Sequence, residues 1–324
     1  MFWAIVLLIV GMVLLVKGAD FFVDGASKIA KAMRIPSLII GLTLVSMGTS
    51  APELSVSINA VLSGSSDISF GNVVGSNLFN TFLILGCSSF FIALAFDKVM
   101  VKFDIPFMVG IYVIMLVFGF VTSPYKLDRV ESIILVLLFV SYMVSLFFRA
   151  KNSEETEEDE TEVVSKKQIL YNVVISIIGL AAIIYGGDLV VDKASFIAKK
   201  LGMSEALVGL TIVAVGTSLP ELVTSVVASI KKERDIAIGN VIGSNIFNIL
   251  LILGVASTIK PLPISDAAAF GINSTLCDLI ILLISGIAVL LISKITKCLK
   301  RWQGVLFVLA YVAYLAYIIL RDFN

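Results

Sequence analysis

A passage of 46 residues occurs twice in this chain, and the two copies lie a constant distance apart. The first copy covers 41–86 and the second covers 209–254, so that every position recurs 168 residues later without a gap. The two copies are identical at 26 of the 46 positions, including all named residues of G-T-S-x-P-E and G-N-x-x-G-S-N-x-F-N. This duplication predicts a fold of two similar halves, with one polar site to which both halves contribute.

The hydropathy of the chain places that duplication in a membrane. Of the 324 residues, 59% are hydrophobic and 15% are charged, whereas about a quarter of a soluble domain is charged. Apolar stretches long enough to cross a bilayer recur along the whole chain. The sequence therefore predicts an all-α integral membrane protein. Its ten predicted spans are 2–24, 36–62, 68–95, 105–122, 130–148, 168–191, 205–230, 236–259, 270–293 and 303–320.

The predicted spans divide five and five around a hydrophilic segment. The expected organisation is a first five-helix repeat at 1–148, an acidic linker at 149–167 and a second five-helix repeat at 168–324. Because five is an odd number of crossings, the second copy of the motif must enter the membrane from the opposite side. Inverted repeats of this kind build many secondary transporters, whose ion or substrate sites lie near mid-membrane.

Loop charges predict the orientation. With the N-terminus outside, the inner loops hold 16 lysines and arginines and the outer segments hold 7. The positive-inside rule then places both termini outside and the 149–167 linker in the cytoplasm, for a multi-pass protein of the cell membrane. The acidic run from Ser153 to Glu162 is interpreted as a solvated tether, with weak calcium sensing as the alternative.

Each copy of the motif places one carboxylate deep in an apolar segment. Glu53 is the only ionisable residue between Ile35 and Leu62, and Glu221 is the only one in 206–230. A charge at the centre of a spanning helix costs about 2.5–3.5 kcal/mol on insertion scales. Because these segments contain no lysine or arginine, the charge must be neutralised by a metal cation or a proton. The sequence thus predicts a cation site.

The neighbouring residues supply further oxygen ligands. Pro52 and Pro220 remove backbone donors and loosen the preceding turns, which frees carbonyl groups. Taken singly, the glycines, serines, asparagines and prolines of the two motifs would usually be assigned to helix packing or to helix kinks. Their combination with a glutamate, twice and in register, favours a site for a hard cation such as calcium or sodium. The polar side chains concerned are Thr49, Ser50, Ser76, Asn80, Thr217, Ser218, Ser244 and Asn248.

Several other functions are disfavoured. The net charge of zero gives no reason to expect a nucleic-acid partner, and the absence of histidine excludes Ser-His and Cys-His catalysis within the chain. A membrane hydrolase could use Ser50 with Glu53, but it would leave the second copy unexplained. A cation channel stays open as an alternative. We expect no enzymatic activity and no cofactor, with calcium and sodium ions and the lipid bilayer as the partners.

The paired motifs resemble the two alpha-repeats of the sodium/calcium exchanger family, in the cation/calcium exchanger superfamily, and the short chain resembles a prokaryotic member. The resemblance implies a secondary antiporter that exports calcium at the expense of the sodium gradient by alternating access, functioning as a monomer. Some relatives have an aspartate at the position of Asn248, and potassium-dependent relatives use it. Proton-coupled relatives often have a histidine in the second motif, so proton coupling is the alternative that this chain disfavours.

The resemblance also implies a role for individual residues. Calcium would be bound by Glu53 and Glu221 together with the backbone carbonyls of Thr49 and Thr217. The flanking sodium sites would use both glutamates, Thr217, the side chains of Ser50, Ser76, Asn80, Ser218, Ser244 and Asn248, and the carbonyls of Ser46 and Ala214.

A second set of acids recurs at the same offset. Asp20 and Asp24 correspond to Asp188 and Asp192, near the ends of the first and sixth spans. Their predicted role is interfacial charge, with Lys17 as a partner for Asp20 three residues later on a helix. An entry path for cations is the alternative.

Overall fold

The computed structural model describes residues 1–64, 66–123, 125–152, 166–202, 214–264, 268–269 and 272–322, and these residues are mostly helical. The α-helices are α1 (Phe2–Met33), α2 (Ser37–Ile40), α3 (Ser46–Thr49), α4 (Ala51–Leu62), α5 (Ser66–Leu78), α6 (Leu85–Phe91), α7 (Ile105–Val117), α8 (Arg129–Asn152), α9 (Lys166–Lys200), α10 (Ala214–Gly216), α11 (Leu219–Ile230), α12 (Arg234–Phe247), α13 (Gly254–Ile259), α14 (Ser274–Ile295) and α15 (Arg301–Asp322).

Wide π-helical turns connect several of these helices into longer continuous segments. They cover Gly41–Val45, Phe79–Ile84, Met100–Asp104, Phe118–Thr122 and Asn248–Leu253. Short strands complete the described structure, namely β1 (Leu94–Ala95), β2 (Lys126–Leu127), β3 (Leu262–Pro263), β4 (Ala268–Ala269), β5 (Ile272–Asn273) and β6 (Cys298–Leu299).

Eight helical segments in the described residues are long and apolar enough to cross a membrane. A ninth span is reached if the bent pair Ser37–Thr49 and Ala51–Leu62, which turns by 45°, counts as one. These nine correspond to nine of the ten predicted spans. The remaining prediction, 205–230, lies partly outside the described residues, which show only α10 and α11 there. The chain is therefore a multi-pass helical membrane protein.

Two helices continue beyond their predicted ends, into segments that contain charged residues. The first predicted span ends at residue 24, but α1 continues to Met33 and ends at Arg34 in the left-handed conformation, with φ 54°. The sixth was predicted to end at 191, and α9 continues to Lys200. Lysine and alanine are good helix formers, so these helices extend past their apolar stretches. The acidic run 153–162 lies outside the described residues, and the helices on either side of it reach Asn152 and begin at Lys166.

The chain divides into two compact units, and each unit contains segments from both sequence repeats. The first unit comprises Met1–Pro52 and Val144–Asn240, and the second comprises Glu53–Met143 and Val241–Asn324. The division into a 1–148 repeat and a 168–324 repeat stays a prediction from the sequence.

In the first unit, α1 packs along α9 through glycines. A Cβ added to Gly18 would lie 2.8 Å from the carbonyl oxygen of Gly179, and one added to Gly11 would lie 3.0 Å from that of Gly186. Moving seven residues forward along α1 thus moves the contact seven residues back along α9, so the two helices run antiparallel. The absence of side chains lets the two backbones touch, as in other small-residue interfaces between membrane helices.

In the second unit, β1 and β3 are one repeat apart in sequence, and each pairs with a strand from the other repeat. Antiparallel β1–β6 pairs Leu94 with Leu299, and antiparallel β2–β3 pairs Leu127 with Leu262. Leu94 and Leu262 are 168 residues apart. The third pair, β4–β5, is a local antiparallel ladder of 268–269 with 272–273. Glycines again mark close approaches, since a Cβ on Gly86 would lie 2.9 Å from the carbonyl oxygen of Gly304.

Candidate cation site

Both copies of the G-T-S-x-P-E motif interrupt their helix at the same place. In the first copy α3 ends at Thr49, Ser50 has φ −83° and ψ 6°, and α4 begins at Ala51. In the second copy α10 ends at Gly216, Ser218 has φ −91° and ψ 6°, and α11 begins at Leu219. The breaks precede Pro52 and Pro220, as the missing backbone donor of proline predicts.

Glu221 lies in the first unit and is 1% exposed. Its Oε1 accepts a hydrogen bond of 2.8 Å from the Ser50 hydroxyl, whereas its Oε2 has no hydrogen-bond partner among the described residues. Buried side-chain oxygens nearly always have a partner, so such an atom needs an explanation, and a cation is one. Glu221 is in the first turn of α11, where the positive end of the helix dipole also favours a carboxylate.

A buried asparagine fixes the backbone beneath Glu221. The Nδ2 of Asn240 donates to the backbone carbonyl of Glu221 at 3.4 Å and to the Ser225 hydroxyl at 2.9 Å. Its Oδ1 accepts from the Thr49 hydroxyl at 3.1 Å. Asn240 therefore joins α12 to α11 and to the end of α3 within the first unit.

The two hydrogen bonds donated by Asn240 have counterparts around Glu53 in the second unit. Glu53 is also 1% exposed. The Nδ2 of Asn72 donates to the backbone carbonyl of Glu53 at 3.5 Å and to the Ser57 hydroxyl at 3.2 Å. Asn72, Glu53 and Ser57 correspond to Asn240, Glu221 and Ser225 at the 168-residue offset. The two units thus contain matching half-sites, each with a buried carboxylate on a backbone that an asparagine holds in place.

The remaining predicted ligands are almost all buried. Thr217 is half-buried. The buried ones are Ser46, Thr49, Ser50, Ser76, Asn80, Ser218, Ser244 and Asn248. The carbonyl of Ser46 accepts from the Ser50 amide at 3.0 Å and from the Thr49 hydroxyl at 3.4 Å, so one predicted sodium ligand already has protein donors. Ala214 is the first residue of α10.

Several of these oxygens lack a protein partner within the described residues. They are Oε2 of Glu221, Oγ1 of Thr217 and the amide oxygens of Asn80 and Asn248. Asn80 also has no acceptor there for its Nδ2. Asn80 and Asn248 both lie in π-helical turns, Phe79–Ile84 and Asn248–Leu253. Such turns widen the helix by one residue and occur frequently at functional sites.

The chemistry of the set favours oxygen coordination of a hard cation. No cluster of three or more acidic or cysteine side chains occurs among the described residues, and the chain has no histidine. A site of two carboxylates would depend on hydroxyl, amide and carbonyl oxygens for its other ligands. Calcium and sodium accept such ligands, whereas transition metals prefer nitrogen and sulfur.

Sequence reasoning missed the asparagines and serines of the supporting layer. It assigned no role to Ser57, Asn72, Ser225 and Asn240, although all four belong to the identical positions of the repeat. That identity was the available signal, because a polar residue kept in both copies of an apolar passage has a shared partner to satisfy. The partners themselves are backbone carbonyls and cannot be read from residue types.

The recurring acids of the two long helices α1 and α9 have unequal surroundings. Lys231, which follows α11, contacts Asp24 at 2.6 Å and Asp20 at 3.1 Å. The predicted pair of Lys17 with Asp20 is also present, at 3.6 Å. Burial lowers the pKa of Lys231, but its hydrogen bonds to Asp24 and Asp20 outweigh burial and raise that pKa above its ordinary value. Asp192 contacts its neighbour Lys193 at 2.6 Å.

Comparison with known proteins decides the family. The sequence model described as "Sodium/calcium exchanger protein" matches residues 3–148 and 171–320 of this chain. The chain belongs to this family. A sodium/calcium exchanger family member, MaX1 of Methanosarcina acetivorans, is 35% identical over 347 residues, covering 95% of this chain and 96% of its own. The putative antiporter CaxA of Alkalimonas amylolytica is 36% identical over 319 residues, covering 96% and 97%.

A solved structure of the same family agrees in fold. The sodium-calcium exchanger NCX_Mj, in crystals soaked with 10 mM sodium and no calcium, superposes with a TM-score of 0.84 at 32% identity, covering 97% of this chain and 98% of that chain. The sodium/calcium exchanger family consists of transporters. Family and fold together make this protein a cation/calcium antiporter embedded in a membrane.

Proposed function

We propose that this protein exchanges sodium for calcium across the cell membrane by alternating access, and that it exports calcium at the expense of the sodium gradient. The buried Glu221 carboxylate carries the proposal. One of its oxygens is bound by Ser50 and the other has no partner among the described residues, and a matching half-site surrounds Glu53. The names of MaX1 and NCX_Mj, both sodium/calcium exchangers, support the choice of ions.

Calcium, in this proposal, binds Glu53 and Glu221 together with the carbonyls of Thr49 and Thr217. Two carboxylates neutralise one divalent ion. Sodium ions use the same carboxylates and the surrounding oxygens, so the two ions compete. The sodium ligands are Ser46, Ser50, Glu53, Ser76, Asn80, Ala214, Thr217, Ser218, Glu221, Ser244 and Asn248. No resident cofactor is required, because both ions are substrates.

Charge neutralisation explains why exchange, and not leak, results. Emptying the site strands two carboxylates in a medium of low dielectric constant, which is costly. An empty carrier therefore changes conformation slowly, whereas a carrier loaded with calcium or sodium changes it readily. After one ion has left, the carrier therefore returns only when the other ion has bound.

The proposed architecture is ten transmembrane helices in two inverted five-helix repeats, with the ion sites at mid-membrane. Two observations support it. Helices α1 and α9 occupy equivalent places in the sequence repeat and run antiparallel in the first unit. In the second unit, β1 and β3 are equivalent strands and each pairs with a strand of the other repeat. We further propose that both termini lie outside, that the 149–167 linker is cytoplasmic and that a monomer suffices for transport.

Calcium-45 flux into proteoliposomes of the purified protein tests the proposal. Sodium-loaded vesicles diluted into sodium-free buffer should accumulate calcium rapidly, and vesicles with equal sodium on both sides should not. Uptake driven equally well by a pH gradient without sodium would support a proton-coupled antiporter instead. Full-rate calcium flux with neither gradient would indicate a channel and contradict the exchange mechanism.

A further inference from the structure

The second unit contains a chain of hydrogen bonds that starts at a backbone carbonyl and ends at a proposed sodium ligand. The Nδ2 of Asn77 donates to the backbone carbonyl of Asn245 at 3.1 Å. The Oδ1 of Asn77 accepts from the Nδ2 of Asn248 at 3.0 Å. The Oδ1 of Asn248 has no hydrogen-bond partner among the described residues. Asn77, Asn245 and Asn248 are each 0% exposed.

The chemistry of the first bond fixes the direction of the whole chain. A backbone carbonyl only accepts, so the amide group that faces it must be the NH2 of Asn77. The opposite side of the Asn77 amide is then its oxygen, which also only accepts. Asn248 must therefore direct its own NH2 at Asn77, and its oxygen is left as the outward atom. No alternative orientation of either amide satisfies both hydrogen bonds.

This orientation matters for a cation. An amide oxygen is a good ligand for sodium or calcium, whereas an NH2 group carries partial positive charge and repels a cation. A freely rotating asparagine would present either end. Asn77 holds the Asn248 side chain in one orientation before the ion arrives. The loss of side-chain entropy therefore occurs on folding and not on binding, and a site pre-organised in this way binds its ion more tightly.

The equivalent position in the first repeat lacks this restraint. Asn80 corresponds to Asn248, and Asn245 corresponds to Asn77. The Nδ2 of Asn245, however, donates to the Thr81 hydroxyl at 2.9 Å, and neither amide atom of Asn80 has a hydrogen-bond partner in the described part of the chain. Thr81 corresponds to Ile249, which has no hydroxyl. The presence of Thr81 in one repeat and Ile249 in the other thus accompanies the difference in hydrogen bonding between Asn245 and Asn77.

We infer that Asn77 is a positioning residue for sodium, which turns the oxygen of the Asn248 side chain toward the ion and contacts no ion itself. The inference rests on the proposed function, in which Asn248 is a sodium ligand. It also states that Asn248 and Asn80 are not equivalent, although they occupy the same place in the two repeats.

Replacement of Asn77 by leucine, which has nearly the same shape, removes the restraint without leaving a cavity. The sodium concentration for half-maximal calcium-45 exchange should rise about 10-fold, while the calcium concentration for half-maximal exchange should change less than about 2-fold. In a chain that already carries Asn248→Leu, adding Asn77→Leu should change the sodium requirement less than about 2-fold, because the residue acts through Asn248.

Asn245→Leu is the matched control. Asn245 is equally buried and adjoins the same cluster, but the hydrogen bond from Asn77 uses its backbone carbonyl, which the substitution keeps. Its sodium requirement should therefore stay close to that of the original chain. Equal effects of Asn77→Leu and Asn245→Leu on sodium would reduce Asn77 to a packing role, and additive effects with Asn248→Leu would also overturn the inference.

A binding measurement separates this inference from the proposed function. The rise in unfolding temperature of the detergent-purified protein is measured against sodium chloride, with choline chloride as the salt control. Asn77→Leu should shift the sodium midpoint about 10-fold even if the protein proves not to exchange calcium. An unchanged midpoint contradicts the inference, and absence of sodium-dependent flux in the original chain contradicts the proposed function. Should Asn77→Leu fail to fold, Asn77→Ala is measured with the same expectations.

Discussion

The hydrogen bonds that Asn72 donates behind Glu53 match those that Asn240 donates behind Glu221, whereas the charged groups on α1 and α9 do not match. Asn72 and Asn240 make the same two hydrogen bonds, each to a glutamate carbonyl and to a serine hydroxyl. Asp20 and Asp24, by contrast, share Lys231, and the residue equivalent to Lys231 in the other repeat is Ser63. The two repeats thus have matching hydrogen bonds at the carboxylates and different ion pairs at the recurring aspartates.

This difference separates two kinds of constraint. In the proposed alternating-access mechanism, the site opens to each side of the membrane in turn and must offer similar ligands in both directions. Charged groups away from the carboxylates are not bound by this requirement. Because α1 and α9 run antiparallel, Asp20 and Asp188 lie at different levels of the pair, and of these two only Asp20 contacts Lys231 among the described residues.

The largest expected effect is the loss of either central carboxylate. Glu53→Gln and Glu221→Gln should each lower the initial rate of sodium-dependent calcium-45 uptake at least about 100-fold, because either change removes a negative charge that balances the divalent ion. Glu131→Gln is the control, since Glu131 is also buried but binds Thr122 and the Asp128 amide. Its uptake rate should stay within a few-fold of normal. Loss in only one of the first two variants would break the equivalence of the half-sites.

A smaller effect is expected for the supporting asparagines. Asn72→Leu and Asn240→Leu each leave a buried carbonyl and a buried hydroxyl without a donor, which costs about 1–3 kcal/mol. The calcium concentration for half-maximal uptake should rise about 10-fold in both variants. Asn59→Leu, at an exposed position where the side chain donates to the Ser55 hydroxyl at 3.5 Å, should have no effect. Unequal shifts for Asn72→Leu and Asn240→Leu would show that the supporting layers differ in function despite their matching hydrogen bonds.

The smallest effect is expected where the repeats already differ. Lys231→Met removes the partner of Asp20 and Asp24, and partly exposed ion pairs contribute about 0–1 kcal/mol. The unfolding temperature should fall by a few degrees, and less at high salt because ions screen the pair. Lys17→Met, which removes an exposed contact of 3.6 Å, is the control and should change the unfolding temperature less.

The pH dependence of that pair follows from the raised pKa of Lys231. A lysine whose pKa is higher in the folded chain contributes its full stabilisation below the unfolded pKa of about 10.4 and loses it only as pH rises through the folded value. The difference in unfolding temperature between the original chain and Lys231→Met should therefore be constant from about pH 6 to pH 9. A difference that vanished by pH 9 would show that the lysine does not keep its charge in this contact.

The sequence alone was enough to find the buried glutamates and the helix breaks beside Pro52 and Pro220. A carboxylate without a basic partner in an apolar segment, and a proline within a helix, are each energetically unfavourable. Both can be recognised from the residue type and its neighbours in the sequence. The functions of Asn72 and Asn77 depend on which backbone carbonyl lies opposite the side-chain amide. The sequence pattern does not indicate that contact. The pairing of Lys231 with Asp24 joins residues 207 positions apart, so it too required the fold.

The antiparallel packing of α1 with α9 has an electrical consequence. Each helix carries a macrodipole of roughly half an elementary charge at each end. Because the two helices run in opposite directions side by side, the positive end of one lies beside the negative end of the other, and their fields largely cancel. Two of the longest helices of the protein, of 32 and 35 residues, thus give the membrane voltage almost no backbone dipole on which to act.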